Sequence, residues 1–404
     1  MLIVNHFAMA PDMGGGTRHV ELGSELTKRG WVVTIMSSDF HLYDRHYLRR
    51  SNAADRSTHL ETIDGVRFRW LHTSAYERND ALRVANWLSF GRAALGERFE
   101  GDRPDVVLGS SPHLFAALAA WRIARRFGVP FVLEVRDLWP ESLAVNGRRR
   151  RGGYWTLWAI SRFLYLVADR IIVLAQGAGE YLCRLRIDPA RIAHIPNGAD
   201  LSQFNPLSPR RGEEIRLVYA GAHGPANGLE TVLAAAWALR SDSRISFLFV
   251  GDGPSKVTLL ESAQGMGLTN VRFGNSVAKR DIPELLARCD AGIMVLKDVA
   301  LFSFGVSPNK LFDYWSAGLP VVCNVRGEVA DLVRESAGGI QAADGSPAAL
   351  AVAIRELVAL SPDARRAMGE SGRRWVMVKR NRSLLAGQLD SLLSRLVQDG
   401  DRVG

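Results

Sequence analysis

Gly305-Val306-Ser307-Pro308-Asn309-Lys310-Leu311-Phe312-Asp313-Tyr314-Trp315-Ser316-Ala317-Gly318-Leu319-Pro320-Val321-Val322 carries more positional chemistry than any other stretch of this 404-residue chain. Ser307 suits a helix N-cap, Pro308 suits the first helical position because its missing N–H is an orphan there anyway, and Gly318 can end the helix in the left-handed region. These signals predict a helix of about ten residues, followed by a buried strand from Leu319 to Cys323. The first N–H groups of that helix, at the positive end of its dipole, make a place for a phosphate, and Lys310 adds a point charge. Asp313 lies one turn further on nearly the same face, where a carboxylate can accept two ribose hydroxyls. A capped surface helix with an ordinary charged pair accounts for the same residues.

Around this segment short apolar runs alternate with amphipathic stretches, the βαβ rhythm of a parallel sheet. Upstream, Ile215 to Ala220 reads as a strand, Gly221 to Gly228 as a Gly-rich loop and Leu229 to Ala238 as a helix. Ile245 to Val250 runs into Gly251-Asp252-Gly253-Pro254, and Val271 to Phe273 and Ala291 to Leu296 supply further strands. Downstream, a helix starts at Glu328, another covers 348 to 360, and an amphipathic helical tail runs from Arg365 to Val397.

The first half has the same rhythm. Leu2 to Asn5 is a strand, Pro11-Asp12-Met13-Gly14-Gly15-Gly16-Thr17-Arg18 a loop, His19 to Lys28 a helix and Val32 to Ser37 a strand. The glycines permit close approach of backbone to a ligand and Arg18 can hold an anion, although a tight connection explains them equally. Residues 40 to 62 show no period and are expected to form a loop; the spacing of His41 and His46 matches no usual metal-ligand set. The strand Asp105 to Gly109 delivers His113, just before the helix Leu114 to Phe127, to the sheet edge where open α/β folds bind ligands; a helix-capping turn also accounts for it. Phe131 to Val135 delivers Arg136 and Asp137 to that edge, as site residues or as a structural ion pair. A strand at Arg170 to Leu174 and a helix around Tyr181 complete this half.

Length bounds the answer to two domains, and an apolar content of 47% fits a globular enzyme. Cys183, Cys289 and Cys323 show neither metal nor disulfide spacing, which predicts a reducing cytoplasm. The N-terminal apolar run is too short and lacks the basic residues of a signal peptide, and no run is long enough to span a bilayer. The net charge of +9 favours anionic partners. No zinc finger, RNP motif or helix-turn-helix pattern appears, so nucleic acid is not expected. Arg148 to Arg151, next to Tyr154, Trp155 and Trp158, suits an anionic membrane surface; a solvated loop before a core helix fits as well.

Four motifs, in order, resemble those of the family 4 retaining glycosyltransferases of GT-B fold: Pro196-Asn197-Gly198-Ala199-Asp200, Tyr219-Ala220-Gly221, Val250-Gly251-Asp252-Gly253-Pro254, and Ser307-Pro308-Asn309-Lys310 through Gly318-Leu319-Pro320-Val321. Gly14 to His19, Glu134 to Pro140 and Gly221 to Leu229 look like the branch of N-acetyl-L-fucosamine transferases of O-antigen and surface-polysaccharide synthesis. The resemblance implies an α/β GT-B architecture of two Rossmann-like domains facing a central cleft. An acceptor domain is expected at 1–190, a donor domain at 191–378 and a returning C-terminal helix at 379–404.

It further implies metal-independent, retaining transfer of a sugar from a nucleoside diphosphate, UDP above all, with no cofactor. The expected sugar is an N-acetylated deoxyhexosamine or hexosamine, and the acceptor a polyprenyl-diphosphate-linked glycan on the cytoplasmic membrane face. Donor contacts are expected from Asn309, Lys310, Leu311 and Asp313, from Asn197, Gly221, His223, Asn227 and Gly251, and from Gly15, Gly16 and Arg18. Arg136, Asp137 and Lys310 are the catalytic candidates, and His113 and Arg136 the acceptor contacts.

Three departures stand out. Ala222 and Asn227 occupy the places of two phosphate-binding cations, Gly305 stands where the first acid of a paired-acid motif belongs, and Arg136-Asp137 replaces a strand-end histidine. A non-catalytic GT-B partner subunit and a nucleotide-sugar epimerase are the alternatives.

Overall fold

The computed structural model describes residues 1–41, 45–77, 81–99, 103–141, 152–204, 213–297 and 305–401. They fold as two compact α/β units. One holds Met1–Pro11, Gly15–Pro196 and the chain from Ser383 on; the other holds Asp12–Gly14 and Asn197–Arg382.

The first unit is built on strands β1 (Leu2–Val4), β2 (Thr34–Ser38), β3 (His59–Ile63), β4 (Val66–Leu71), β5 (Val107–Ser110), β6 (Phe131–Val135), β7 (Arg170–Val173) and β8 (Ile192–His194), in the order β3-β4-β2-β1-β5-β6-β7-β8. Of the pairs these described strands make, only β3–β4 is antiparallel. Helices α1 (Arg18–Thr27), α2 (Ala81–Gly96), α3 (Leu114–Phe127), α4 (Gly152–Val167) and α5 (Gln176–Arg184) make the crossovers. Because β1 lies between β2 and β5, the strand order reverses there, and the ends of these strands are where open α/β sheets bind ligands.

Two elements of this unit differ from the sequence reading. The expected loop over 40 to 62 contains β3, paired to β4 through a two-residue turn, Asp64-Gly65, with φ of 50° and 80°. Positive φ at both central positions is the hairpin geometry that suits strand twist, and Asp-Gly is its usual sequence. Helix α2 was not expected either. Its apolar residues occupy every side, so no 3.6-residue stripe announces it.

The second unit has strands β9 (Ile215–Ala220), β10 (Ile245–Val250), β11 (Val271–Gly274), β12 (Ala291–Met294), β13 (Val321–Cys323) and β14 (Gly339–Gln341), all parallel, in the order β11-β10-β9-β12-β13-β14. Helices α6 (Leu229–Ala238), α7 (Lys256–Gly265), α8 (Ile282–Ala287), α9 (Asn309–Ser316), α10 (Glu328–Ser336), α11 (Pro347–Ala359) and α12 (Pro362–Lys379) cover it. Alternation along β9 sends Leu217 and Tyr219 into one core and Val218 and Ala220 into the other, so helices on both faces demand apolar residues from Leu217 on.

The helical tail expected from Arg365 to Val397 is two helices, α12 and α13 (Arg382–Asp401). Between them Asn381 bridges to Ala199. From Ser383 on, α13 packs within the first unit: Arg29 donates to the Ser383 carbonyl at 3.0 Å and the Trp31 indole to Asp390 at 2.8 Å.

Candidate functional site

In the second unit the reversal point is the end of β9, between β10 and β12. There Gly221 takes φ +153°, and a Cβ on it would stand 3.1 Å from Lys310 Cε; Gly251, φ +145°, would place one 2.0 Å from the Gly221 carbonyl oxygen. Only glycine lets these loops close over the start of α9. The loop is held further by Ala222, whose carbonyl accepts from the Tyr219 hydroxyl at 2.8 Å and from the Asn227 side chain at 2.9 Å.

Lys310 packs against this loop. Its ammonium lies 4.3 Å from the Tyr219 ring centroid and donates to the Tyr219 hydroxyl at 2.9 Å and to Asn227 Oδ1 at 3.3 Å. Burial lowers its pKa to about 7, because no carboxylate among the described residues offsets the desolvation. Asn227 therefore helps place the cation while contributing no charge of its own.

Helix α9 starts later than expected. Pro308 takes the N-cap position and offers no side-chain acceptor, so the helix runs from Asn309 to Ser316 with its first N–H groups uncapped. Ser307, the expected cap, instead holds Asn197: its hydroxyl accepts the Asn197 backbone N–H at 2.9 Å and its carbonyl the Asn197 side chain at 2.6 Å. Asn197 is thus placed as a brace for the segment leading into α9. Gly318 has φ +73° and ends the helix as expected, its N–H donating to the Trp315 carbonyl. Leu311 brings only its backbone to the site, since its side chain lies in the core.

Asp313 is buried and already holds a cation, Lys279, whose ammonium lies 2.6 Å from both carboxylate oxygens. Lys279 was missed in the sequence. The signal for it is positional: it follows β11 and precedes α8, on a loop at a strand's carboxyl end. His223 lies beneath the same loops, its Nε2 3.4 Å from where a Cβ on Gly251 would stand. It is fully buried, 6.0 to 6.4 Å from the rings of Tyr219, Phe249 and Phe273, and burial lowers its pKa to about 4, so the ring is neutral.

In the first unit the strand ends carry a buried polar network. Glu134 accepts from Arg18 Nε at 2.8 Å, from the Ser110 hydroxyl at 2.8 Å and shares a hydrogen with His19 Nε2 at 2.7 Å. Burial alone would raise the Glu134 pKa, but His19 and Arg18 outweigh it and hold the carboxyl well below its usual range. Arg18 also donates to the carbonyls of Pro196 and Ile195, at 2.6 and 2.7 Å. The expected anion-holding arginine is therefore buried and ties α1, β6 and the end of the unit together.

His113 caps α3, its Nδ1 accepting the Ala116 N–H at 2.9 Å, and burial takes its pKa to about 3. The capping reading holds, beside a ring cluster in which His6 lies 4.7 Å and Trp87 5.4 Å away. Arg136 donates its backbone N–H to Ser111 and extends its guanidinium over the Gly15-Gly16 turn, 3.2 Å from where a Cβ on Gly16 would stand. Asp137 follows on the surface, lining a small recess with Ser111, Trp139, Ser161 and Tyr165. The structure thus gathers Gly221, Asn227, Gly251, Asn309, Lys310 and Asp313 at one sheet edge, and Gly15, Gly16, Arg136 and Asp137 at that of the other unit. Arg148 to Arg151 lie outside the described residues.

Residues 13–198 match the Glycosyl transferase 4-like domain, and residues 214–359 match the Glycosyl transferases group 1 domain. Two such domains in tandem on two parallel-sheet units define the class, and the chain belongs to the GT-B glycosyltransferases. Among relatives it is 26% identical over 231 residues to the putative colanic acid biosynthesis glycosyl transferase WcaI of Escherichia coli (strain K12), covering 54% of this chain and 56% of that one. The match thus spans about half the length of that relative. Among solved structures it resembles a sucrose-phosphate synthase from Thermosynechococcus elongatus, with a TM-score of 0.76 at 19% identity over 98% of both chains. It also resembles Anabaena HepE in complex with UDP and glucose, with a TM-score of 0.67 at 15% identity over 97% of this chain and 99% of that one.

Proposed function

We propose that this chain transfers a sugar with retention from a UDP-linked donor to a polyprenyl-diphosphate-linked glycan, as a step in surface-polysaccharide synthesis on the cytoplasmic membrane face. The observation that carries the reading is the uncapped start of α9, with Lys310 beside it and Gly221 closing over both. Those N–H groups and that ammonium suit a diphosphate, and Asp313, one turn further, suits the ribose. The sugar is an N-acetylated deoxyhexosamine or hexosamine.

In the reaction the acceptor oxygen bonds to the anomeric carbon as the bond to the diphosphate breaks. The departing diphosphate keeps the bonding electrons and takes the acceptor proton. Charge grows on the leaving group, which is where a fixed cation and helix N–H groups lower the barrier without a metal. Arg136 and Asp137 are proposed to meet the sugar or acceptor. The complex of HepE with UDP and the naming of WcaI for colanic acid support donor and pathway class.

A melt-shift screen against UDP-, GDP- and TDP-sugars tests the reading. A UDP-sugar is expected to raise Tm most, and one that also yields free UDP and a retained glycoside completes it. Stabilisation by no nucleotide would favour a partner subunit, and an interconverted nucleotide sugar an epimerase.

A further inference from the structure

Helices α2, α3 and α4 make consecutive crossovers on the first unit's sheet, and α3 packs between the other two. Trp121 of α3 meets Phe163 of α4 edge-on, with ring centroids 4.8 Å apart. None of the three helices contains an Asp or Glu. Two arginines stand on α2, three on α3 and one on α4. Arg92, Arg122, Arg125 and Arg126 are exposed, and none forms an ion pair among the described residues.

The outer face of α2 is apolar. Its inner side, Asn86, Phe90, Gly91 and Ala94, is buried against the unit. At 100° per residue the opposite side carries Ala85, Leu88, Arg92 and Leu95, with Val84 and Leu82 at its two margins, and the leucines and valine are 41–56% exposed. A solvent-facing helix normally reverses this pattern. On α4, Trp155 and Leu166 are likewise exposed, at 57% and 53%. No helix among the described residues is long and apolar enough to cross a membrane.

We propose that this three-helix face docks on an anionic lipid bilayer, with Leu88, Val84 and Trp155 entering the interface and the arginines of α3 meeting lipid phosphates. The absence of carboxylates favours this occupant: a protein partner could be matched with charges of both signs, whereas a uniformly cationic, apolar-studded face complements a uniformly anionic, apolar-cored one. The inference deepens the membrane partner of the proposed function and rests on that reading only for the acceptor. It shares Trp155 with the patch read in the sequence and does not depend on Arg148 to Arg151.

Sedimentation of the full chain with phosphatidylcholine vesicles, with and without phosphatidylglycerol, tests it. Binding is expected only with phosphatidylglycerol. The double variant V84E/L88E and the triple variant R122E/R125E/R126E are each expected to weaken it by about tenfold or more. These positions are exposed, so the melting curve should stay unchanged. Vesicle binding equal in wild type and variants, or absent in wild type, overturns the proposal. So does a solution dimer that V84E/L88E dissociates without any vesicle binding. UDP titration of the same samples separates the two readings: UDP binding without vesicle binding removes only the docking face, and vesicle binding without UDP binding removes only the donor site.

Discussion

Lys279 Nζ lies 2.6 Å from each carboxylate oxygen of Asp313, joining the turn after β11 to the second turn of α9. The side chains are 17% and 12% exposed, so the pair is partly shielded from water. Removing one partner leaves a desolvated charge, at a cost of about 1–3 kcal/mol, below the value for a fully buried pair. Lys279→Met is expected to lose that much stability in urea unfolding, and adding Asp313→Asn to recover part of it. Strictly additive losses in the double-mutant cycle would show that the two groups are not coupled.

Glu134 answers three donors in a site closed to water. Glu134→Ala leaves Arg18 buried without its carboxylate and is expected to cost about 3–5 kcal/mol. Glu134→Gln keeps the shape but not the charge and should fall between. Urea unfolding of the two variants gives the order; equal stability of Glu134→Ala and wild type would contradict the role assigned to the network.

With a diphosphate seated on α9 as proposed, Lys310 is expected to make donor affinity depend on pH. Without ligand, burial sets its pKa near 7, so the ammonium is partly neutral at physiological pH. A diphosphate beside it favours the charged form and raises the pKa, so binding takes up a proton. UDP affinity is expected to fall as pH rises from about 7 toward the bound-state pKa, by at most about tenfold per unit. Titration calorimetry in buffers of different ionisation enthalpy counts the proton, and Lys310→Met should flatten the profile. A wild-type profile that is already flat would reject the coupling.

Much of this was legible in the sequence where one residue type answers one geometric demand. Gly318 ends α9 and the Gly221 and Gly251 loops stand at strand ends because only glycine fits those turns. The β9 and β10 strands were legible as apolar runs broken only by Arg216 and Ser246. What escaped notice depended on distance along the chain. Ser307 looked like a cap, but Asn197, 110 residues away, holds it. Arg18 looked like an anion ligand, but Glu134, 116 residues away, takes its charge. Lys279 acquired meaning only when folding brought it to Asp313. Helix α2 escaped because it is apolar on its solvent side too, and the Asp64-Gly65 hairpin escaped although its signal was present.

The central claim is that the sheet edge around α9 binds a nucleoside diphosphate. Calorimetric titration of UDP into wild type, Lys310→Ala and Asp313→Ala tests it most directly. Saturable binding to wild type is expected, weakened by about tenfold or more in each variant, because one loses a phosphate cation and the other the ribose acceptor. Equal affinity for all three proteins, or no UDP binding to the folded wild type, would contradict it.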